Sequence, residues 1–231
     1  MMRASIRKII AASEPKGNKE NVKKMLEIAE KEQADAIVVL GDLAGPSQKA
    51  EAFAELFKLL GSANLPAYYI PGPNDAPVSE YLREAYNIEL VYPYMHGVHG
   101  TFAFGPGHIV FAGMGGEIRE DNQAVRDEIN RLCYLGWEVE YRLKILNELK
   151  DYPKVFLFIT MPHHRGLAQP GSEVLAQLIK THNPQLVVVH GSDFFEEWLG
   201  SSLVVSPGLL TKGQLAVVDL RERKAKAISL S

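Results

Sequence analysis

The 231-residue chain has a single cysteine, Cys133, and this scarcity limits the kind of protein it can be. One cysteine excludes a disulfide within the chain and favours a reducing compartment. No segment is apolar for long enough to cross a bilayer, and the N-terminus lacks the apolar stretch of a secretory signal. We therefore expect a cytoplasmic protein without a membrane partner, in which Cys133 is a buried small side chain.

An excess of positive charge is also missing, because the formal net charge is −3. Such a chain has no overall field to recruit nucleic acid or an anionic membrane. Hydrophobic residues make up 46% of the chain and charged residues 23%, which is typical of soluble globular proteins. The length suits one domain of generous size or two small ones, and we expect a single domain over residues 1–231.

A continuous apolar run ends at a polar pair near residue 41. Residues 36–40 are all apolar, and Gly41 and Asp42 follow directly. A run this short predicts a strand buried on both faces, and open α/β sheets place their ligand crevice just beyond the carboxyl ends of such strands. Glycine and aspartate also suit an ordinary turn, so this motif alone leaves both interpretations open.

The first half of the chain has the alternating pattern of a parallel sheet. A short strand at Ile9–Ala12 is followed by a loop, an amphipathic helix over residues 19–32 and the strand that ends at Leu40. A loop ending near Pro46 and Ser47, a helix that ends at Gly61, a strand over residues 67–70 and a short helix over residues 78–86 are expected next.

The middle of the chain changes character. Short apolar stretches at residues 88–92, 98–104 and 108–112, separated by glycine, predict an antiparallel meander. Residues 117–133 are polar and predict an exposed loop. A longer helix should follow, in which Trp137 and Tyr141 widen the apolar face, so we expect burial or a contact within a homo-oligomer.

Two further buried strands and three tail strands complete the pattern. The apolar runs are at residues 155–159 and 186–189, and Ser172 is placed to cap the helix between them. The tail strands are expected at residues 203–205, 214–220 and 225–230.

Polar side chains follow five of the expected strands. Carboxylate, amide and imidazole groups that meet at strand ends are the donors of sites for Mn²⁺, Mg²⁺, Fe²⁺ or Zn²⁺. In chain order these groups are Glu14 with Lys16 and Asn18, Asp42, Asn74 with Asp75, His163 with His164, and His190 with Asp193.

The order of these motifs resembles the calcineurin-like metallophosphoesterase superfamily. That family has Asp-x-His after its first strand, Gly-Asp after the second, Gly-Asn-His-Asp/Glu after the third, a later lone His, a final Gly-His-x-His and then Asn-Pro-Gly-Ser. The corresponding residues here are Glu14-Pro15-Lys16-Gly17-Asn18, Gly41-Asp42, Gly72-Pro73-Asn74-Asp75, Thr160-Met161-Pro162, His190-Gly191-Ser192-Asp193 and Val205-Ser206-Pro207-Gly208. Its Pro-Gly-x-x-Asp-Ala-Pro and Thr-Met-Pro motifs also resemble a small bacterial branch of that superfamily.

Several family positions carry a different residue in this chain. Glu14 replaces the first aspartate and Lys16 the first histidine, whereas Asp42 is kept. The asparagine ligand position holds Pro73, and the catalytic histidine position holds Asn74. A protonated ammonium cannot ligate a metal, so Lys16 either neutralises the carboxylates as a metal would or binds a phosphate oxygen.

The resemblance implies an α/β fold, a four-layer αββα sandwich of two mixed sheets flanked by helices. It also implies a metal-dependent phosphoester hydrolase for a phosphodiester or nucleotide, in which the metal activates a hydroxide for attack. One divalent ion is expected rather than two, and none if Lys16 replaces it. The residues assigned to this interpretation are Glu14, Asp42, Asp75, His190 and Asp193 as metal ligands, His163, His164 and Asn74 as catalytic residues, and Lys16, Asn18 and Arg165 as substrate-binding residues.

Two other interpretations stay open at this point. The same fold can be a catalytically silent module that binds a small phosphorylated ligand, since fold alone does not establish activity. Alternatively, these polar residues are loop and surface chemistry only, with His163, His164 and Arg165 as a solvated basic patch.

Overall fold

Two six-stranded sheets form the centre of the molecule. The computed structural model describes residues 5–45, 49–120, 125–167 and 170–230. The first sheet consists of β1 (Lys8–Ser13), β2 (Ala36–Leu40), β3 (Ala67–Ile70), β4 (Met95–Gly97), β13 (Gln214–Asp219) and β14 (Lys224–Ser229). Its spatial order is β14-β13-β1-β2-β3-β4. Strands β1 to β4 run parallel, and β13 is antiparallel to both of its neighbours, β1 and β14.

The second sheet is also mixed. It consists of β5 (Thr101–Gly105), β6 (Ile109–Met114), β9 (Lys154–Phe158), β10 (Leu186–Val189), β11 (Phe194–Leu199) and β12 (Ser202–Pro207). The order is β11-β12-β10-β9-β6-β5, in which the four inner strands are parallel and the two edge strands antiparallel. A separate parallel pair is formed by β7 (Glu117–Arg119) and β8 (Cys133–Leu135).

Helices cover the outer face of each sheet. The first sheet packs against α1 (Lys19–Lys31), α2 (Lys49–Ser62) and α3 (Val78–Val91), and the second against α4 (Gly136–Arg142) and α5 (Glu173–His182). Ser172 caps α5 by accepting a hydrogen bond from the Leu175 N–H, as its sequence predicts. None of the helices in these ranges is both long and apolar enough to cross a bilayer.

Alternating apolar side chains explain the layered packing. In β1, Ile10 and Ala12 point to the helices, whereas Ile9 and Ala11 point to the second sheet. The layer between the sheets combines apolar residues from both, among them Val38 of β2, Val155 of β9 and Val188 of β10. The predicted sandwich of two mixed sheets flanked by helices is confirmed, because each sheet is apolar on both faces.

Some of the predicted elements are wrong in detail. The apolar pattern of residues 88–92 predicts a strand, but residues 88–91 continue α3 and Tyr92 follows it as the C-cap. The buried face of α3 consists of Tyr81, Ala85 and Ile88 at helical spacing. Gly61 lies within α2 and does not follow it. Residues 117–133 are not one exposed loop, since β7 and the start of β8 fall there. The predicted loop near Pro46 and Ser47, like residues 121–124, lies outside the described residues.

The apolar residues of the fourth helix are only partly buried. Val139 is fully buried, but Trp137 and Tyr141 are each 62% exposed, so the predicted burial of these two side chains is wrong, whereas the predicted subunit contact stays a prediction. Cys133 is buried, as expected.

The edge strands β11 and β14 lie next to each other across the sandwich. Glu196 of β11 accepts a hydrogen bond from the backbone N–H of Ala225 in β14 at 2.9 Å. Lys224 and Lys226 are exposed on β14. Both outermost strands on this side therefore carry charged side chains.

Candidate active-site cleft

The carboxyl ends of strands from both sheets open into one cleft of about 240 Å³. The parallel direction of β1, β2 and β3, and of β9 and β10, brings the residues after each strand to the same side of the molecule. The residues that line the cleft are Glu14, Gly41, Asp42, Pro73, Asn74, Glu117, Arg131, Ile159, Thr160 and His190.

The loop after β1 brings a carboxylate and an ammonium group together. The backbone has positive φ at Glu14 (51°) and Lys16 (44°), and the Lys16 N–H bonds to the Asp42 carbonyl at 3.0 Å. Lys16 Nζ lies 2.7 Å from Glu14 Oε2. This hydrogen bond to Glu14 is the main cause that raises the pKa of Lys16, so the side chain stays positively charged at neutral pH.

The carboxylate of Asp42 is only 3% exposed and is bound on both oxygens by Asn74. The Asn74 backbone N–H donates to Oδ1 at 2.9 Å, and Nδ2 donates to Oδ2 at 2.6 Å. This approach depends on Gly72, since a Cβ there would collide with Asp42 Oδ1. Asn74 thus orients the buried carboxylate.

His190 follows β10 and faces Glu14. Its Nδ1 lies 2.9 Å from Ser13 Oγ, and its Nε2 lies 3.6 Å from Glu14 Oε1. Burial lowers the pKa of His190, while the nearby carboxylates of Glu14 and Asp42 act in the opposite direction. The imidazole is therefore neutral at pH 7.

Arg131 and Glu117 complete the cleft, and sequence reasoning missed both. Arg131 Nη1 donates to Asn74 Oδ1 at 3.0 Å, and its Nε donates to Glu117 Oε2 at 3.2 Å. Thr160 accepts a hydrogen bond from the Ile118 N–H at 2.8 Å and so holds β7 beside the cleft. No short motif marks residues 117–133, which contain Glu117 and Arg131, and their polar sequence resembles that of a surface loop.

The donor set does not fit a metal centre as it stands. The described ranges contain no group of three or more His, Cys, Asp or Glu side chains placed to hold a metal ion. Glu14 contacts the Lys16 ammonium, and both oxygens of Asp42 accept hydrogen bonds from Asn74. A metal at these residues would have to displace the Lys16 ammonium and share the Asp42 oxygens with the hydrogen bonds from Asn74.

Asp75 lies behind the cleft and connects two loops. Its carboxylate is fully buried and accepts hydrogen bonds from the backbone N–H groups of Leu43, Ala44 and Gly72, at 2.7 to 3.0 Å. Burial raises the pKa of Asp75 to about 7, although these N–H donors act to lower it. These contacts hold Asp75 at the ends of β2 and β3, outside the cleft lining, so the structure does not bring it together with the other predicted metal ligands there.

Asn18 also has a local structural role. Its side-chain oxygen accepts the Asn21 N–H at 3.0 Å and so caps α1. Asn18 does not line the cleft, so the structure does not bring it to the place where substrate binding was predicted.

The remaining predicted residues lie on exposed segments outside the cleft lining. His163 Nε2 is 3.5 Å from Glu173 Oε1, and His164 Nδ1 accepts the Gly166 N–H at 3.2 Å. Arg165 and Asp193 are exposed, and Ser192 Oγ donates to Asp193 at 2.8 Å. Of the eleven predicted site residues, the structure brings together Glu14, Lys16, Asp42, Asn74 and His190.

Comparison with known proteins agrees with this fold. The family model described as "Metallophosphoesterase, calcineurin superfamily" matches residues 2–230. No curated protein matches the chain.

Solved structures with a similar fold cover nearly the whole chain. The crystal structure of TT1561 from Thermus thermophilus is 48% identical with a TM-score of 0.92, covering 97% of this chain and 99% of that one. A novel archaeal phosphodiesterase is 14% identical with a TM-score of 0.57, covering 96% and 99%. At this lower identity the similarity shows a shared fold alone.

Proposed function

Because the chain belongs to the calcineurin superfamily of metallophosphoesterases, we propose that its cleft binds a small phosphoester without a metal ion. The observation that carries this proposal is the 2.7 Å contact between Lys16 Nζ and Glu14 Oε2. The family is typically dependent on divalent metals, and Lys16 stands where the family has a histidine ligand. Its ammonium supplies fixed positive charge beside the carboxylates of Glu14 and Asp42, where the family has a metal ion.

The same residues argue for binding without turnover. In-line attack on a phosphoester needs an activated hydroxide and an acid that protonates the leaving group. Asn74 holds the family's catalytic histidine position, and an amide is too weak an acid to protonate a leaving group near neutral pH. We therefore interpret the cleft as a phosphoester-binding site that acts as a sensor or scaffold.

A second candidate is a hydrolase that uses one divalent ion, and the position of His190 favours it. The neutral imidazole has Nδ1 held at 2.9 Å by Ser13 Oγ, which leaves Nε2 directed toward Glu14 Oε1 at 3.6 Å. Such a hydrogen bond on the second ring nitrogen is common in histidines that ligate metals. Glu14, Asp42 and His190 would hold Mn²⁺, Mg²⁺, Fe²⁺ or Zn²⁺ once Lys16 had moved away.

Thermal unfolding of metal-stripped protein separates the two candidates. The wild type, Asp42→Asn and the exposed control Asp151→Asn are each heated with phenyl phosphate, with Mn²⁺ and with both, and phenol release is followed. A ligand that binds only the folded state raises the unfolding midpoint by mass action.

We expect phenyl phosphate to raise the unfolding midpoint of the wild type and of Asp151→Asn. Mn²⁺ should leave the midpoint unchanged, and no phenol should be released. A rise with Mn²⁺ that Asp42→Asn abolishes, together with phenol release, would replace this proposal by the one-ion hydrolase. If neither compound changes the unfolding midpoint, both candidates are overturned, and the polar residues at the strand ends are ordinary loop and surface residues.

A further inference from the structure

Among the described residues that line the cleft, Arg131 is the only arginine, and its position is fixed from two sides. Nε donates to Glu117 at 3.2 Å and Nη1 donates to Asn74 Oδ1 at 3.0 Å. The side chain is 48% exposed, so half of it stays open. A guanidinium has five N–H donors, and Nη2 makes no hydrogen bond to any described residue.

The orientation of Asn74 explains why its oxygen faces Arg131. The Asp42 carboxylate can only accept hydrogen bonds, so the amide of Asn74 must turn Nδ2 toward it. The amide oxygen is then directed away from Asp42 and accepts from Arg131. The buried carboxylate thereby helps to set the position of a cation that lines the cleft.

Glu117 is shared between two guanidinium groups. Arg119 Nε lies 2.9 Å from Glu117 Oε1, and Arg131 Nε lies 3.2 Å from Oε2. The formal charge of these three side chains is +1. Arg119 does not line the cleft, so Arg131 is the arginine of this pair that can contact a ligand bound there.

We infer that Arg131 is the residue that binds the phosphoryl group of the ligand, with Asn74 and Glu117 as its positioning residues. This inference rests on the proposed function. A planar guanidinium that keeps free N–H donors matches two phosphate oxygens in a fork, and a preset orientation lowers the entropy lost on binding. The phosphoryl subsite therefore lies at the Arg131 end of the cleft, beside the strand pair β7 and β8.

The test compares two arginines that bind the same carboxylate. The dissociation constant of phenyl phosphate is measured by calorimetry on the full chain for the wild type, Arg131→Gln, Arg131→Lys and Arg119→Gln, with thermal unfolding as a check on folding. Arg131→Gln and Arg119→Gln remove the same charge beside Glu117, but only the first removes a cleft residue.

We expect Arg131→Gln to weaken binding about tenfold or more, because charge-assisted hydrogen bonds to the phosphoryl oxygens are lost. Arg131→Lys should recover part of this loss, and Arg119→Gln should stay within about twofold of the wild type. Equal losses in the two glutamine variants, or wild-type binding by Arg131→Gln, would overturn the inference and leave the proposed function standing. A wild type that does not bind phenyl phosphate would overturn both.

Discussion

Asn74 binds Asp42 twice, through its backbone N–H at 2.9 Å and through Nδ2 at 2.6 Å. This pair joins the loop after β2 to the loop after β3 at the bottom of the cleft. The order of the sequence motifs aligns Asn74 with the catalytic histidine of the family. Here the residue at that position satisfies a buried carboxylate, which is why we regard the site as a binding site.

Removing the Asn74 side chain should weaken the fold. In Asn74→Ala, Asp42 Oδ2 loses its 2.6 Å hydrogen bond while Asp42 stays buried, so we expect the free energy of unfolding to fall by about 1–3 kcal/mol. Urea denaturation measures the change. Asn87→Ala, on the exposed face of α3, is the matched control and should change stability by about 0.5 kcal/mol or less. Equal effects of the two substitutions would show that the Asp42 contact contributes nothing.

Lys16→His should restore a metal response. The substitution removes the ammonium that contacts Glu14 and adds an imidazole donor beside Glu14 and Asp42. We expect Mn²⁺ at about 100 times its dissociation constant to stabilise this variant by about 2.7 kcal/mol, seen as a higher unfolding midpoint.

Lys16→Gln is the control for that experiment, since it removes the charge without adding a ligand. An equal Mn²⁺ response in Lys16→Gln would mean that Glu14, Asp42 and His190 suffice as ligands and that Lys16 only blocks them. The response of Lys16→His should disappear when Asp42→Asn is added.

The buried carboxylate of Asp75 should produce a measurable pH dependence of stability. Burial raises its pKa to about 7, whereas the ordinary value is 3.8. Between these two values the folded protein binds more protons than the unfolded chain, so this group favours the fold at low pH. Its contribution is fully present below about pH 3.8 and is lost as the pH rises through 7.

Asp75→Asn is the variant that isolates this contribution. Asparagine cannot titrate, so the free energy of unfolding of the wild type relative to Asp75→Asn should decrease from about pH 4 to about pH 7 by up to about 1.4 kcal/mol per pH unit. Urea denaturation at several pH values in this range gives the slope. The opposite slope would mean that the N–H groups of Leu43, Ala44 and Gly72 outweigh burial and keep Asp75 ionised.

The structural role of Asn18 gives a simple test of the substrate-binding prediction. Asn18→Ala removes the cap of α1 and should lower the free energy of unfolding by about 1 kcal/mol. Asn18→Asp should retain most of the stabilisation that the cap provides, because aspartate also accepts the capping hydrogen bond. We expect both variants to bind phenyl phosphate within about twofold of the wild type. A selective loss of binding in Asn18→Ala at unchanged stability would return Asn18 to the ligand site.

The layered fold can be predicted from the chain because the inner strands are short apolar runs. Buried strands such as Ala36–Leu40 lie within a residue of the predicted bounds. Residues 88–92 mislead because their apolar and aromatic side chains resemble those of a strand. The helical spacing of Tyr81, Ala85 and Ile88, which tertiary packing reinforces, decides the conformation instead.

Motif order predicts that Glu14, Asp42, Asn74 and His190 share one cleft, but it does not distinguish residues that face the cleft from those that support it. Asp75 is adjacent to Asn74 in sequence, yet its side chain turns inward to backbone N–H groups. Arg131 could not be found from sequence, because only its contacts with Glu117 and Asn74 bring a residue from a polar segment to the strand ends.

The arrangement of the outermost strands affects how the protein behaves at high concentration. An uncovered strand offers backbone groups to a neighbouring molecule and so promotes aggregation, and exposed lysines oppose such pairing. In β14 the backbone N–H of Ala225 is already bound to Glu196, and Lys224 and Lys226 flank it. Two molecules that approached along these strands would have to break that bond and bring like charges together, so this side of the sandwich protects the protein against sheet-to-sheet association.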